Sequence, residues 1–356
     1  NSRKNSRSNF YRWVARNVAF TRFSLWGIEN KMSVTLKEKL YQMFILGTDG
    51  GYYKELLKEG LGGIIFFSKD IQTKTQFKSL IDDIKLISKI PPFLSIDQEG
   101  GRVERTENIH NGKKYLSAKF AFEKGEKFLK SQTEEISKEL KSYGINLNFA
   151  PCIDTNTNPN NPIIGVRAFS SNPDEVIKAE KIVSKTYEEN GIIPCVKHFP
   201  GHGDANADSH LTLPKIDLSL KDMEETHIKP FKSAIENGID MVMVAHLFCT
   251  CFEKEEVPTS LSKNAIDYLR NNLNFDKVAI SDDMVMKGVA KFGDVEACEM
   301  GIKAGLNLFI YRFSDEKTSN IIQEIYKKAQ KDNLLKEKIE NSYNKIMTLK
   351  SKYNIA

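Results

Sequence analysis

The sequence predicts an α/β protein, a single-domain (β/α)8 barrel of the TIM type. From about residue 40 onward, short apolar runs alternate with long amphipathic segments rich in Lys and Glu. This alternation is typical of buried parallel strands joined by helices. Eight such runs match the strand number of the barrel. The runs are Gln42–Gly47, Gly63–Phe67, Pro92–Ile96, Ile145–Ala150, Ile192–Val196, Asp240–Ala245, Lys277–Ile280 and Leu306–Tyr311.

Predicted helices fill the intervals between these runs. They cover Thr73–Lys89, Ser117–Tyr143, Pro173–Asn190 and Leu218–Asn237, and glycine follows the last two, as is common at helix ends. A doubly wound open sheet would show the same alternation, but it would carry a glycine-rich phosphate turn after its first strand. The segment 48–51, TDGG, matches such a turn only weakly, so the barrel is the favoured fold.

Composition excludes several classes of partner. The 356 residues carry a net charge of +5, but the basic and acidic residues are interleaved, which predicts solvated helix faces and no nucleic-acid partner. No apolar run approaches the roughly 20 residues of a membrane span, so we expect no membrane contact. Five cysteines, an odd number with several in apolar runs, indicate a reducing compartment, and we expect a cytoplasmic protein. We also expect a monomer.

Residues 1–31 differ from the rest of the chain. They contain seven basic residues and one acidic residue, Glu29, together with several Ser and aromatic residues. Such a segment is typical of a leader or an added extension, with a transit peptide or an RNA-contacting arm as alternatives. We therefore predict that 1–31 lie outside the fold and that 32–356 form the catalytic barrel with its C-terminal helices.

Titratable residues follow most of the predicted strands. Active sites of barrel enzymes lie at the C-terminal ends of the strands. Any one of these residues could be a strand cap or a solvated turn residue, but charged or titratable residues at five of eight strand ends are more than capping explains. We therefore expect the site at this end of the barrel. The residues are Asp97, Asp154, Lys197 with His198, His246, and Asp282 with Asp283.

The segment from Lys197 to Pro214, KHFPGHGDANADSHLTLP, holds three of the six histidines. Its proline and glycines exclude the helix on which two histidines four residues apart bind zinc. A loop-borne metal site with Asp and His ligands stays open as an alternative. The preferred interpretation is a catalytic loop in which Asp208, two residues from His210, raises the basicity of the imidazole for proton transfer.

This segment resembles the signature of glycoside hydrolase family 3, and specifically its single-domain bacterial β-N-acetylglucosaminidases of peptidoglycan recycling. Four further blocks resemble the family in the same order. They are DQEGGRVER (97–105), NFAPCIDTN (148–156), NPIIGVRAF (161–169) and AISDDMVMKGV (279–289). The resemblance covers residues 97–289 directly and about 40–350 through the barrel.

The resemblance implies roles for individual residues. Asp282 matches the nucleophile that forms a glycosyl-enzyme, His210 the acid/base and Asp208 its carboxylate partner. Asp283 is the competing candidate for the nucleophile, and strand alternation predicts that only one of the two faces the barrel mouth. The positions that match the family's sugar-binding residues are Asp97, Arg105, Arg167, Lys197 and His198.

Four residues carry qualified expectations. Arg105 and Arg167 have an alternative role as salt-bridged loop anchors. His246 is expected to be a satisfied core or rim histidine. Asn307 departs from the family, in which an acid is expected before the eighth strand, and this leaves a contact at the barrel floor or behind the site in question.

The function implied is that of a retaining exo-β-N-acetylglucosaminidase (EC 3.2.1.52 type). It would release terminal β-linked GlcNAc from peptidoglycan fragments, the GlcNAc-1,6-anhydroMurNAc-peptides, without a metal or an organic cofactor. The alternatives are a family 3 β-glucosidase or β-xylosidase, a phosphorylase-like activity, a catalytically dead sugar-binding barrel and a metal-dependent hydrolase.

Overall fold

The computed structural model describes residues 34–110, 113–205 and 213–356. Residues Lys37–Ala356 form one compact unit. The predicted leader, 1–31, lies outside the described residues, so its separation from the fold stays a prediction.

Eight parallel strands form the central sheet, one for each predicted run. They are β1 (Phe44–Asp49), β2 (Gly63–Phe66), β3 (Phe93–Ile96), β4 (Leu147–Asn148), β5 in two pieces (Ile193–Pro194 and Val196–Phe199), β6 (Met241–Val244), β7 (Val278–Asp283) and β8 (Leu308–Phe313). Every residue of β2, β3 and β6 is buried, since helices cover one side and the barrel interior fills the other. This double burial explains the uninterrupted apolar runs in the sequence.

The sheet closes on itself through β5. The first piece of β5 pairs with β4, with Ile193 opposite Leu147, and the second piece pairs with β6, with Val196 opposite Val242. On the other side β1 pairs with both β8 and β2. The hydrogen-bonded order of the strands thus begins with one piece of β5 and ends with the other, so the sheet is a closed barrel. The (β/α)8 prediction is confirmed.

Helices surround the barrel. The described α-helices are Leu36–Tyr41, Tyr53–Lys58, Lys74–Ile87, Ala118–Glu123, Glu126–Tyr143, Pro173–Glu189, Leu220–Asp222, Ile228–Glu236, Lys263–Asp267, Lys287–Ala290, Asp294–Ala304, Glu316–Ala329 and Asn333–Lys352. π-Helical turns at Met223–His227 and Tyr268–Asn272 extend two of them, and a short strand pair joins Lys215–Ile216 to Phe248–Cys249. Within the described ranges, no helix has both the length and the apolar character needed to cross a membrane.

One helix prediction was wrong in its continuity. The predicted helix Ser117–Tyr143 is two helices, because Gly125 adopts a φ of 99° between them. Only glycine adopts this backbone conformation readily. The long helix Pro173–Glu189 begins as predicted, with the Asn172 side chain accepting a hydrogen bond from the Asp174 backbone N–H.

Asn307 lies at the floor of the barrel, at the end opposite the strand termini that carry titratable residues. Its Oδ1 accepts hydrogen bonds from the Ala279 backbone N–H at 2.9 Å and from the Arg270 guanidinium at 2.6 Å. Its Nδ2 donates to Ser342 Oγ at 3.1 Å. The amide of Asn307 therefore has hydrogen-bond partners for both its oxygen and its nitrogen. The replacement of the expected acid by Asn307 affects the floor of the barrel and not the opposite end, where the titratable residues lie.

A buried lysine fixes the start of three strands at the same floor. Lys350, on the C-terminal helix, donates to Gln42 Oε1 at 2.7 Å and to the carbonyl oxygens of Gly62 at 3.0 Å and Pro91 at 2.7 Å. Its Nζ lies 4.7 Å from the centre of the Phe93 ring. These acceptors match the three N–H donors of an ammonium group.

We predict that Lys350→Met lowers the free energy of unfolding by about 3 kcal/mol, because buried acceptors lose their donor. Lys336→Met, at an exposed position of the same helix, is the control and should change stability by less than about 0.5 kcal/mol. Urea unfolding followed by circular dichroism measures both. Equal stability of Lys350→Met and the wild type would contradict the role of Lys350.

Candidate active site

A cavity of about 170 Å3 lies at the C-terminal ends of the strands. All six predicted site residues that the structure describes line it: Asp97, Arg105, Arg167, Lys197, His198 and Asp282. The other two, Asp208 and His210, lie outside the described residues. The structure thus brings together residues that are up to 185 positions apart in sequence, between Asp97 and Asp282.

Lys197 is the central cation of the cavity. It follows the start of the second piece of β5, and its side chain is only 2% exposed. Its Nζ contacts Asp97 Oδ1 at 2.8 Å and Glu99 Oε1 at 2.6 Å. Burial lowers the pKa of Lys197, but the charges of Asp97 and Glu99 outweigh burial and raise it overall. The ammonium therefore stays charged inside the cavity.

Glu99 joins Lys197 to Arg167. The Arg167 guanidinium donates from Nε to Glu99 Oε2 at 2.9 Å and from one Nη to Glu99 Oε1 at 2.8 Å. Burial raises the pKa of Glu99, but Arg167 and Lys197 outweigh it and hold the pKa well below the usual range. Arg167 is therefore salt-bridged, as its alternative role required, and it also lines the cavity.

Sequence reasoning missed Glu99, although it stands two residues after Asp97 in the block DQEGG. A carboxylate next to the predicted sugar-binding lysine and arginine was the available signal. Two buried cations require a buried anion, since an unpaired buried charge is strongly unfavourable.

Asp154 orients His198. Its Oδ2 lies 2.7 Å from His198 Nδ1, and its Oδ1 accepts hydrogen bonds from the backbone N–H of His198 at 3.2 Å and of His202 at 2.6 Å. Burial raises the pKa of Asp154, but the two histidines outweigh it and keep the carboxylate ionised. With Nδ1 held in this way, His198 presents Nε2 to the cavity beside the Arg167 guanidinium, 3.3 Å away.

The glycines of the KHFPGHG segment allow a close backbone approach. A Cβ at Gly203 would lie 1.7 Å from the carbonyl oxygen of Thr155. His202, between these glycines, is 2% exposed, and neither ring nitrogen has a hydrogen-bond partner among the described residues. Burial lowers the pKa of His202 to about 4, so the ring is neutral at physiological pH.

Asp282 and Asp283 both line the cavity, so the prediction that only one of them faces the mouth was wrong. The register between β7 and β8 shifts between Ile280 and Asp283, and such an irregularity breaks the alternation of side chains along a strand. The two carboxylates differ in their partners instead. Asp283 forms a salt bridge with Arg312, whereas the Asp282 side chain accepts a single hydrogen bond from the described part of the chain, from the Asp283 backbone N–H at 2.7 Å.

Asp282 remains ionised in this setting. Burial raises its pKa, but His198 and His246 outweigh burial and lower it overall. His246 is a satisfied buried histidine: its Nε2 donates to the Asp283 carbonyl oxygen at 3.1 Å, and its Nδ1 lies 2.6 Å from Ser260 Oγ. His246 therefore supports the backbone next to Asp282.

One group among the described residues brings three potential metal ligands together. Atoms of Cys152, Asp154 and His198 lie within 4.8 Å of one another, and all three residues are buried. Their mutual hydrogen bonds, including one from Cys152 Sγ to Asp154 Oδ2 at 3.2 Å, account for this arrangement. The five cysteines are all free thiols.

We predict that His202 makes the protein less stable in acid. The unfolded histidine takes up a proton below pH 6.5, whereas folded His202 resists protonation down to about pH 4. Its contribution to the free energy of unfolding is therefore present at pH 7 and falls by about 2 kcal/mol on acidification to pH 4.5. Urea unfolding at both pH values should show a smaller pH dependence in His202→Leu, and an unchanged pH dependence would contradict this assignment.

Comparisons with known proteins agree with this geometry. The model of the glycosyl hydrolase family 3 N terminal domain matches residues 35–349. The chain is 31% identical to beta-hexosaminidase A of Pseudoalteromonas piscicida over 320 aligned residues. This alignment covers 82% of the chain and 53% of that protein. It is 35% identical over 267 residues to a beta-hexosaminidase of Actinobacillus pleuropneumoniae, covering 72% and 75%.

A solved structure has the same fold. A family 3 beta-N-acetylglucosaminidase from Paenibacillus sp. str. FPU-7 superposes with a TM-score of 0.82 at 30% identity, covering 91% of this chain and 63% of that one. The chain spans about half the length of the Pseudoalteromonas relative. Because the family model covers almost the whole barrel and these relatives share 30% or more of its sequence, the chain belongs to glycoside hydrolase family 3.

Proposed function

We propose that this chain is a retaining exo-β-N-acetylglucosaminidase that acts through a covalent glycosyl-enzyme on Asp282. One observation carries the proposal. Of the three carboxylates that line the cavity, Asp282 is the one without a salt bridge among the described residues, while Asp97 and Asp283 are paired with Lys197 and Arg312. An ionised, unpaired carboxylate in a sugar-sized cavity suits attack on an anomeric carbon.

The paired groups around Asp282 suit sugar binding. Asp97, Lys197 and Arg167 would hold hydroxyls and the N-acetyl group by charge-assisted hydrogen bonds, and His198 Nε2 would add a further polar contact. Because Lys197 and Arg167 are already fixed by Glu99, little side-chain order is lost when the sugar binds. These contacts orient the anomeric carbon toward Asp282.

Proton transfer falls to His210 and Asp208 in this proposal. The imidazole would protonate the leaving oxygen as Asp282 attacks, and it would then take a proton from the water that hydrolyses the glycosyl-enzyme. Asp208 would hold the ring and stabilise its charged form. The support for these roles is their position in the family 3 segment that begins at Lys197 and His198, which line the cavity.

The relatives support the substrate class. Beta-hexosaminidases and a beta-N-acetylglucosaminidase are similar to most of this chain. We propose terminal β-linked GlcNAc of peptidoglycan fragments as the substrate and the cytoplasm as the compartment, which accords with the free thiols. Parallel assays with β-GlcNAc, β-glucoside and β-xyloside substrates test the sugar, and a preference for either of the latter two would overturn it.

We predict that Asp282→Asn lowers kcat for a chromogenic β-GlcNAc substrate at least about a thousandfold, because the nucleophile is lost. Asp283→Asn is the matched control. It leaves the nucleophile in place and removes the salt bridge with Arg312, while the Asn oxygen can still accept the hydrogen bonds from the backbone N–H groups of Val285 and Arg312, so about a tenfold loss is expected. Near-normal turnover by Asp282→Asn, or a larger loss in Asp283→Asn, would overturn the assignment.

We predict that the loss in His210→Ala depends on the leaving group. An activated nitrophenyl group departs with little protonation, whereas a sugar alcohol must be protonated as it leaves. The kcat of His210→Ala should therefore fall at least about a hundredfold with a natural type of substrate and about tenfold or less with the activated one. Steady-state rates with both substrates measure this difference. Equal losses for the two leaving groups would exclude His210 as the acid.

A further inference from the structure

Arg312 is a cavity residue that the sequence did not indicate. It stands near the end of β8 and lines the cavity together with Asp282. Its Nε donates to Asp283 Oδ2, and its backbone N–H donates to Asp283 Oδ1 at 3.3 Å. Its two terminal NH2 groups have no partner among the described residues. The guanidinium is therefore held by one edge and free at the other.

The backbone beneath Arg312 is fixed on both sides. Asp283 also accepts a hydrogen bond from the Val285 backbone N–H at 3.1 Å, which immobilises its carboxylate. On the other side, β1 packs closely enough that a Cβ at Gly47 would lie 2.0 Å from the Arg312 carbonyl oxygen. A side chain held in this way loses little freedom when it binds a ligand, which favours affinity.

Arg312 lies at the open side of the cavity. Its side chain is 37% exposed, against 20% for Asp97 and 2% for Lys197. The deep side thus holds the proposed sugar-binding cluster. An enzyme that removes a terminal sugar must place the leaving group toward the open side, where Arg312 stands.

The charge on this side favours an anion. Arg105 also lines the cavity, has no ion pair among the described residues, and has a buried Nε without a hydrogen-bond partner. Among the residues that the structure describes, both arginines therefore keep N–H donors without a partner. A guanidinium edge with two parallel N–H donors matches the geometry of a carboxylate.

We propose that Arg312 binds a carboxylate carried by the leaving group and so selects anionic aglycones. This inference rests on the proposed function, because a leaving group occupies the open side only if the deep side takes the terminal sugar. Asp283 acts here as a positioning residue that aims the free edge of the guanidinium, and Arg105 adds positive potential.

The test compares two substrates that differ in one charge. The first is GlcNAc β-1,4-linked to N-acetylmuramic acid, whose lactyl group ends in a carboxylate because it carries no peptide. The second is the same disaccharide with that carboxylate converted to a methyl amide, the type of bond that joins the peptide in peptide-bearing fragments. We expect the wild type to cleave the acid with a kcat/KM about tenfold or more above that for the amide, the size of one charge-assisted hydrogen bond. Equal kcat/KM values of the wild type for the acid and the amide would by themselves overturn the proposal.

The variant Arg312→Gln should lower the acid-to-amide ratio of kcat/KM to near one. The ratio cancels any loss common to both substrates, including a loss of stability or of Asp282 positioning. Arg312→Lys, which keeps the charge but not the paired donors, should give an intermediate ratio. An unchanged ratio in Arg312→Gln would overturn the role of Arg312.

Arg102→Gln is the matched control for net charge. Arg102 donates to the carbonyl oxygens of Pro162 and Ile163 and is exposed, and it is not among the cavity-lining residues. The acid-to-amide ratio of kcat/KM in Arg102→Gln should equal that of the wild type. If this ratio fell as far as in Arg312→Gln, the preference would come from overall charge, and the proposal would be overturned. Failure of the wild type to cleave either disaccharide would count against the proposed function, a separate outcome.

Discussion

The site depends on the buried ion network in which Glu99 holds both Lys197 and Arg167. The three side chains come from different parts of the chain: the loop after β3, the strand β5 and the 3-10 turn Gly165–Arg167. Each charge is tolerated away from water only because the others are present, since an unpaired buried charge costs several kcal/mol. The network therefore fixes the distances between these three segments in the absence of any ligand.

The same principle separates two adjacent carboxylates. Asp283 forms a salt bridge with Arg312, whereas Asp282 forms no salt bridge among the described residues and remains ionised. His246 supports both from below through the Asp283 carbonyl. Reactivity in this cavity is thus defined by which carboxylate the protein leaves unpaired, and the register shift in β7 allows both to reach it.

The repeating pattern and the strand-end residues of the sequence predict the barrel and place Asp97, Lys197, His198 and Asp282 at its cavity. They do so because buried parallel strands need continuous apolar runs and because strand ends converge at one rim. Arg105 and Arg167 were predicted only through the resemblance to the family. The sequence pattern could not predict which charged residues pair with one another in the folded protein. Glu99 and Arg312 look like ordinary charged residues until folding sets them beside Lys197 and Asp283, and the shift that brings Asp283 into the cavity depends on the pairing with β8.

The central claim is that Asp282 becomes covalently glycosylated. A fluorinated N-acetylglucosaminyl fluoride that slows hydrolysis of the intermediate should leave one sugar attached to the protein, and peptide mass spectrometry should locate it on Asp282, within the segment AISDDM. Attachment of the sugar at Asp283 would contradict the account. Turnover with an inverted product anomer and no modified residue would also contradict it.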